Sequence, residues 1–269
     1  MDISKIFGKE RDIIIGMVHC LPLPGMPAYC GQMDEIIRQA VEDAKTLERA
    51  GCSGVIVENM GDSPMAECLD LPQQIALALV TDHVKRSVSI PVGVDAAFND
   101  YRANFSICKA TKASFVRIPV FVDTVAFTDG ILSPVARQAM LYRKELCLEE
   151  VAILADIQVK HSYMLVPSVS IEDSARNAQA CGADAIIVTG SYVGAETPIE
   201  IIQRVRKVID LPLIIASGVK PENIKEQMEI ANGAIIGSSL KVDGILSNPI
   251  SAELCAELFD ALNAQENKE

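Results

Sequence analysis

Short apolar segments recur along the whole chain and alternate with segments of helical pattern. Eight of them are rich in β-branched residues, and most are nearly continuous in apolar residues; they span 13–19, 54–59, 90–96, 115–120, 151–159, 183–189, 211–216 and 234–237. Runs of this kind are typical of parallel strands that are covered on both faces.

The intervening segments predict helices. Residues 34–50 carry an apolar face at helical spacing, formed by Ile36, Ile37, Ala40, Val41, Ala44 and Leu47. The helix after the third strand has a weaker pattern, and we expect residues 121–132 to be loop.

Helix start and stop signals fit the same plan. Residues 197–200 predict a capping box with proline at the first helical position, and residues 170–173 resemble that device. Asn248-Pro249 is expected to open the last helix, and Gly51 and Gly182 are expected to close helices before the second and sixth strands.

Strict alternation of strands and helices indicates an α/β fold with a parallel sheet. Eight units without a linker predict a (β/α)8 TIM barrel that forms one domain over residues 1–269. The alternative is an open, doubly wound sheet. That fold would place a G-x-G-x-x-G turn after the first strand, and the sequence has none there.

Composition and charge limit the classes of molecule that the chain is expected to bind. The net charge is −12 without a block of lysines or arginines, which argues against nucleic acid. Backbone amides can still bind a small anion. We find no export signal and no apolar run of about 18 residues, so we expect a cytoplasmic protein without a transmembrane segment. A homo-oligomer stays open, since such barrels often associate.

The seventh and eighth strands end in a predicted phosphate site. Ser217-Gly218-Val219 follows the seventh strand and Gly237-Ser238 follows the eighth. Glycine lets the backbone approach an anion, and successive amides can hold phosphate oxygens at this place in a barrel. Lys220 and Lys241 could add charge. The alternative is that these glycines only make tight turns.

The sixth strand ends at Thr189-Gly190, and Gly194 and Thr197 follow. This glycine-rich loop could cover a ligand, so Thr189 and Gly190 join the ligand-binding candidates.

Polar residues end the first four strands. His19, Glu58 and Asp95 are candidates for acid–base catalysis. Arg117 lies inside an apolar strand, so it either pairs with Glu58 or Asp95 or binds substrate. Cys20 follows His19, but nothing near it in sequence would lower its pKa, and we do not expect a nucleophile there.

The fifth strand carries the densest polar stripe. Asp156, Gln158 and Lys160 alternate and should face the same side, with His161 directly after them. Lys160 could be a general acid, a phosphate ligand or a Schiff-base amine. Alternatively, His19, Glu58, Asp95 and Asp156 could bind a divalent metal, although no cofactor is required.

Nearly the whole chain resembles the BtpA/SgcQ family, relatives of the phosphate-binding barrels. The resemblance rests on the segments 16–19, 21–25, 57–62, 156–161, 187–190, 217–219, 237–239 and 241–244. The last segment contains Lys241 and Asp243, which become further candidates. A cyanobacterial member is linked to photosystem I biogenesis and a bacterial member to sugar uptake, so the resemblance implies no single reaction.

Three positions depart from the pattern of that family. Asp95 and Pro119 stand where asparagines are expected, and Cys20 stands where proline is common. If those asparagines bind substrate in the family, the ligand of this chain differs.

The sequence therefore predicts an enzyme that acts on a small phosphorylated sugar or related metabolite, as an isomerase, an epimerase or an aldolase-like lyase. His19, Asp156 and Lys160 would transfer protons or polarise a carbonyl. Two alternatives remain. One is a non-catalytic assembly or stability factor, which should expose an apolar patch. The other is a metal-dependent hydrolase or epimerase.

Overall fold

A computed structural model describes residues 1–190 and 196–264 of the chain. It contains a closed barrel of parallel strands, which confirms the predicted fold. In order around the barrel the strands are β1 (Ile13–His19), β2 (Gly54–Glu58), β3 (Val92–Asp95), β4 (Phe115–Ile118), β7 (Ala152–Asp156), β9 (Ala185–Thr189), β10 (Leu213–Ala216) and β11 (Gly233–Ile236).

Helices surround the barrel. They are α1 (Ser4–Phe7), α2 (Met33–Ala50), α3 (Leu71–Ser87), α4 (Tyr101–Thr111), α5 (Ala136–Glu145), α6 (Ile171–Ala180), α7 (Ile199–Arg206), α8 (Ile224–Ile230) and α9 (Ala252–Asn263). Apolar side chains fill two layers, one inside the barrel and one between strands and helices. The strands are buried on both faces, which explains their nearly continuous apolar sequence.

The short helix α1 closes one end of the barrel. Its Phe7 is buried and meets Phe115, the first residue of β4, edge to face at 5.2 Å between ring centroids. Ile3 packs in the same inner cluster. Because α1 covers the end of the barrel where the strands begin, we expect a ligand to enter at the opposite end, where the strands finish.

Two of the predicted helix starts are wrong. The Thr197 hydroxyl donates to the carbonyl of Ala216 instead of capping α7, and Pro198 occupies the N-cap position. Helix α9 begins after Ser251, whose hydroxyl accepts from the amide of Leu254, and not at Asn248. In both cases the capping group lies close to the predicted one, but tertiary contacts decide which residue is used.

Other local predictions have mixed outcomes. The predicted cap at Ser170 is confirmed, because its hydroxyl accepts from the amide of Asp173. The helix after the third strand is a regular α4 with Asp100 as its N-cap. The expectation of loop at residues 121–132 is wrong in part, since β5 (Val125–Phe127) and β6 (Gly130–Leu132) form a hairpin there.

The hairpin belongs to a small second sheet. Strand β5 lies between β6 and β8 (Tyr163–Met164), and all pairings are antiparallel. The sheet is therefore built from the segments that follow β4 and β7, at the end of the barrel where strands finish. Within the described ranges, no helix is long and apolar enough to cross a membrane.

Candidate functional site

A cavity of about 420 Å³ opens at the carboxyl ends of the barrel strands. It brings together six ionisable candidates from the sequence, namely His19, Glu58, Asp95, Arg117, Lys160 and His161. It also contains the residues of both predicted anion turns, namely Ser217, Gly218, Val219, Gly237 and Ser238. Most of the predicted catalytic and phosphate-binding residues thus line one cavity.

Three acid–base candidates form one layer of the barrel. His19 is the register partner of Glu58, and Glu58 is the register partner of Asp95. The Nε2 atom of His19 lies 3.3 Å from Glu58 Oε2. Burial opposes ionisation of Glu58, but the hydrogen bond with His19 and nearby positive charges outweigh it, so the pKa of Glu58 lies below its usual value. Glu58 is therefore a carboxylate.

Asp95 has the opposite character. It is 1% exposed, and neither carboxyl oxygen has a hydrogen-bond partner among the described residues. Burial and the charge of Glu58 raise the pKa of Asp95 well above its usual value, although Arg117 opposes the shift. When it is protonated, a carboxyl group without a hydrogen-bond partner in a cavity can donate a hydrogen bond or a proton to a ligand.

Arg117 is held by Asp156. Its Nε and Nη2 atoms donate to the two carboxylate oxygens of Asp156, both at 2.8 Å, and its Nη1 lies 3.7 Å from Asp95 Oδ2. Asp95 was one of the two partners predicted for Arg117, but the bidentate partner is Asp156. Asp156 is fully buried outside the cavity lining, so its predicted role in proton transfer is replaced by that of positioning Arg117.

The predicted polar stripe ends at Asp156. The strand stops there, and the backbone of Gln158 takes a left-handed conformation at φ 46°. The Gln158 amide then donates to Val169 and Ser174, away from the cavity. Side-chain alternation applies only within a strand, which is why the prediction for this residue is wrong.

Lys160 reaches across the mouth of the barrel. Its Nζ donates to Ser217 Oγ in the first anion turn, and its backbone amide donates to Thr189 Oγ1 at 3.1 Å. Burial, reinforced by Arg117, lowers the pKa of Lys160. His161 lies at the exposed rim, where burial and Lys160 also lower the pKa of its ring. Thr189 thus orients Lys160 without lining the cavity.

Hydrogen bonds connect the two anion turns. Ser217 and Gly218 both have positive φ angles, 72° and 64°, and the Asn223 side chain donates to the Gly218 carbonyl. The Ser239 hydroxyl donates to the carbonyl of Val219 at 2.8 Å. Ser217 and Gly218 therefore lie in a tight turn at the mouth of the barrel, and backbone amides in a turn conformation can bind anions.

The second turn also touches the acid–base layer. A Cβ atom at Gly237 would lie 2.8 Å from Cε1 of His19. Only glycine therefore allows the imidazole to stay beside Glu58.

Several candidates lie outside the cavity. Lys241 is fully buried against Asp43 of α2, so its predicted contact with phosphate is wrong. Asp243 is exposed and Gly190 is buried, and neither lines the cavity. Gly194 lies outside the described residues.

The alternative of a metal site receives no geometric support among the described residues. Within residues 1–190 and 196–264, no group of three or more His, Cys, Asp or Glu side chains is arranged to hold a metal ion. Arg117 stands between two of the suggested ligands, Asp95 and Asp156. Burial, together with the charges of Asp62 and Glu58, raises the pKa of Cys20, which makes it a poor nucleophile.

Sequence reasoning missed one wall of the cavity. Met60, Met65, Phe98, Pro119 and Phe127 line it, and all follow β2, β3 or β4. Of these five residues, Pro119 was named individually in the sequence analysis, as a departure from the family pattern. Phe98 could have been found, because a large aromatic residue directly after a strand end is unusual in a chain that is 4% aromatic. Phe127 could not, since it arrives on the unpredicted hairpin.

Comparison with solved structures supports the barrel. The chain is similar to a tryptophan synthase structure of Mycobacterium tuberculosis, with a TM-score of 0.65, 15% identity, and coverage of 98% of this chain and 97% of that one. It is also similar to N-(5'-phosphoribosyl)anthranilate isomerase of Pyrococcus furiosus, with a TM-score of 0.57, 13% identity, and coverage of 93% and 98%. At these identities the likeness shows the fold alone.

Sequence relatives are much nearer. An uncharacterized protein of Pyrococcus furiosus is 39% identical over 89% of this chain and 90% of its own length. The photosystem I biogenesis protein BtpA of Synechocystis is 31% identical over 97% of this chain and 91% of its own length. The BtpA family matches residues 10–264. The chain therefore belongs to the BtpA family, as its motifs predicted.

Proposed function

We propose that this protein is an enzyme that transfers protons on a small phosphorylated sugar or related metabolite. The observation that carries the proposal is the convergence of the buried Asp95, the half-buried Lys160 and the two turns at Ser217–Gly218 and Gly237–Ser238 on one cavity. An isomerase, an epimerase and an aldolase-like lyase all require a base, an acid and a phosphate anchor of this kind.

The two groups with perturbed pKa values supply the acid and the base. Asp95 has a raised pKa and Lys160 a lowered one, so both move toward the neutral range from opposite sides. Groups that titrate near the working pH are the most effective proton carriers. In this proposal Asp95 donates to a carbonyl oxygen of the substrate, and Lys160 accepts the proton from the adjacent carbon.

The remaining polar groups hold the substrate. The turns at Ser217–Gly218 and Gly237–Ser238 take the phosphate, and Lys160 bonds to Ser217 at the edge of this turn. His19 and Glu58 form a polar pair between the phosphate and Asp95, suited to binding hydroxyl groups of a sugar. The proposal thus assigns each end of the cavity a separate task.

Phosphate binding is the first testable part. Ligands that bind only the folded state raise the melting temperature. We expect inorganic phosphate and ribose 5-phosphate to stabilise the wild-type protein in a thermal shift assay. Ser217→Asp places a carboxylate in the anion turn, and we expect it to abolish that stabilisation through charge repulsion.

The matched control is Ser133→Asp, because Ser133 is exposed and does not line the cavity. This variant should respond to phosphate like the wild type. If no phosphorylated compound stabilises the wild type, or if Ser217→Asp responds unchanged, the anion site and the proposed function are both rejected.

A second candidate function, binding to another protein, is favoured by one observation. Leu71, Ile75 and Leu79 of α3 are 67%, 61% and 42% exposed and follow each other at a spacing of four residues. They form an apolar stripe on the outer face of the helix. Exposed apolar patches of this kind are typical of interaction sites. A relative named for photosystem I biogenesis gives this candidate a precedent.

A stripe that serves another protein must be free in the isolated chain. On this candidate we expect light scattering to give a monomeric mass for both the wild type and Ile75→Glu. A dimer that Ile75→Glu dissociates would instead assign the stripe to self-association. The observation that favours the second candidate would then be lost, while the catalytic proposal would be unaffected.

A further inference from the structure

The cavity has two chemically different walls on opposite sides of the barrel. In the strand order around the barrel, β10 lies four positions from β3, and β11 lies four positions from β4. In a closed ring of eight strands, four positions is the diametrically opposite side. The anion turns follow β10 and β11, so whatever follows β3 and β4 faces them across the mouth.

The wall opposite the anion turns is aromatic. Phe98 follows β3, and Phe127 is brought over the mouth by the hairpin that follows β4. The two rings are stacked, with centroids 4.1 Å apart and an interplanar angle of 14°. Both rings line the cavity, so a ligand in it meets the stacked pair.

The stacked pair is supported from behind. Val120, Val125, Leu132 and Val159 are buried in one cluster with Phe98, and Phe127 packs against that cluster. A pair that is fixed in this way presents a rigid, flat surface at little cost in conformational entropy. Such surfaces bind planar rings by offset stacking.

A sugar phosphate leaves this wall unused. Its phosphate and hydroxyl groups find partners at the turns and in the His19–Glu58–Asp95 layer, but the phenylalanine rings offer no hydrogen bond. Phe98 is 6% exposed and Phe127 is half-buried, and covering the remaining apolar surface of the pair with a ligand ring would be favourable. The wall is therefore matched to a further, apolar part of the ligand.

We infer that the substrate is a phosphomonoester that carries a planar aromatic ring, separated from the phosphate by a sugar-like linker. The phosphate binds the turns after β10 and β11, and the ring packs against the Phe98–Phe127 pair. Nucleoside monophosphates and aryl-substituted sugar phosphates share this chemistry. The inference rests on the anion site of the proposed function and narrows its substrate class.

Paired ligands test it. Affinities are measured by calorimetry for inorganic phosphate, ribose 5-phosphate, phenyl phosphate and the four ribonucleoside 5'-monophosphates. Stacking of a base on an aromatic side chain typically changes affinity by roughly tenfold or more. We expect at least one aromatic compound to bind about tenfold more tightly than its ring-free counterpart.

Phe127→Leu should remove that gain and leave the affinity for ribose 5-phosphate unchanged. Phe259→Leu is the matched control, because Phe259 lies on α9 outside the cavity lining. If no aromatic compound exceeds its ring-free counterpart, or Phe127→Leu retains the gain, the ring is not recognised here and the inference is wrong. Phosphate and ribose 5-phosphate would still bind in that case. If the wild type binds none of these compounds, and Ser217→Asp gives the same result as the wild type, the proposed function is rejected instead.

Discussion

Replacing Asp156 with alanine is expected to lower the free energy of unfolding by about 3–5 kcal/mol, the usual cost of removing one member of a buried ion pair. Asp156 is fully buried and accepts both hydrogen bonds of the Arg117 guanidinium. Without it, Arg117 keeps a positive charge in the barrel interior but loses both acceptors of its hydrogen bonds, while Asp95 Oδ2 lies 3.7 Å from its Nη1. Chemical denaturation followed by circular dichroism measures the effect.

Two further variants show that the charge imbalance is responsible. The double variant Arg117→Met/Asp156→Leu removes both charges, and we expect it to be more stable than Asp156→Ala. Asp82→Ala breaks an exposed pair on the surface of α3, in which Asp82 Oδ2 lies 2.7 Å from Arg86 Nε. Its cost should stay below about 1 kcal/mol. Equal losses for the double variant and Asp156→Ala would contradict the explanation.

Asp95→Asn should have the opposite effect and stabilise the protein at neutral pH. The pKa of Asp95 is higher in the folded than in the unfolded protein, so the folded state loses stability as the pH rises above the unfolded value of about 3.9. Asparagine does not ionise and avoids this loss. We therefore expect Asp95→Asn to have a higher free energy of unfolding than the wild type near pH 7.5.

The gain should shrink as the pH is lowered toward about 4, where the unfolded carboxyl group also becomes protonated. Melting curves of wild type and variant across this range measure it. Asp260→Asn, an exposed site on α9, is the control and should show no such dependence. A variant less stable than wild type at neutral pH would show that Asp95 is ionised in the folded protein. Asp156 and Asp95 both lie beside Arg117. We expect Asp156 to stabilise the fold and Asp95 to destabilise it at neutral pH.

The barrel was predictable because its signals are local and repeated. Continuous apolar strands and intervening helices can be read segment by segment, and each barrel strand falls within one residue of a predicted segment. The helix starts at Thr197 and Asn248 could not be predicted in this way. A polar side chain near a helix start has several possible hydrogen-bond partners, and the sequence does not rank them. Thr197 bonds to Ala216 of the neighbouring strand β10, a partner that only the folded chain supplies.

The site was predictable where it depends on strand ends and not where it depends on side-chain partners. His19, Glu58 and the two anion turns reach the cavity because strand ends of a barrel share one face. Lys241 follows the eighth strand as well, yet it turns outward to Asp43 because an isolated buried lysine requires a carboxylate. The choice between Asp95 and Asp156 as partner of Arg117 likewise depends on packing across strands.

The contact between Gly237 and His19 makes two distant parts of the chain mutually dependent. β11 and β1 are neighbours that close the barrel, although they stand near opposite ends of the sequence. A side chain at position 237 would displace the imidazole, so a different turn at this place leaves the histidine undisturbed only if it keeps glycine there. A graft of this turn into another barrel should therefore keep glycine at this position wherever the first strand ends in a large side chain.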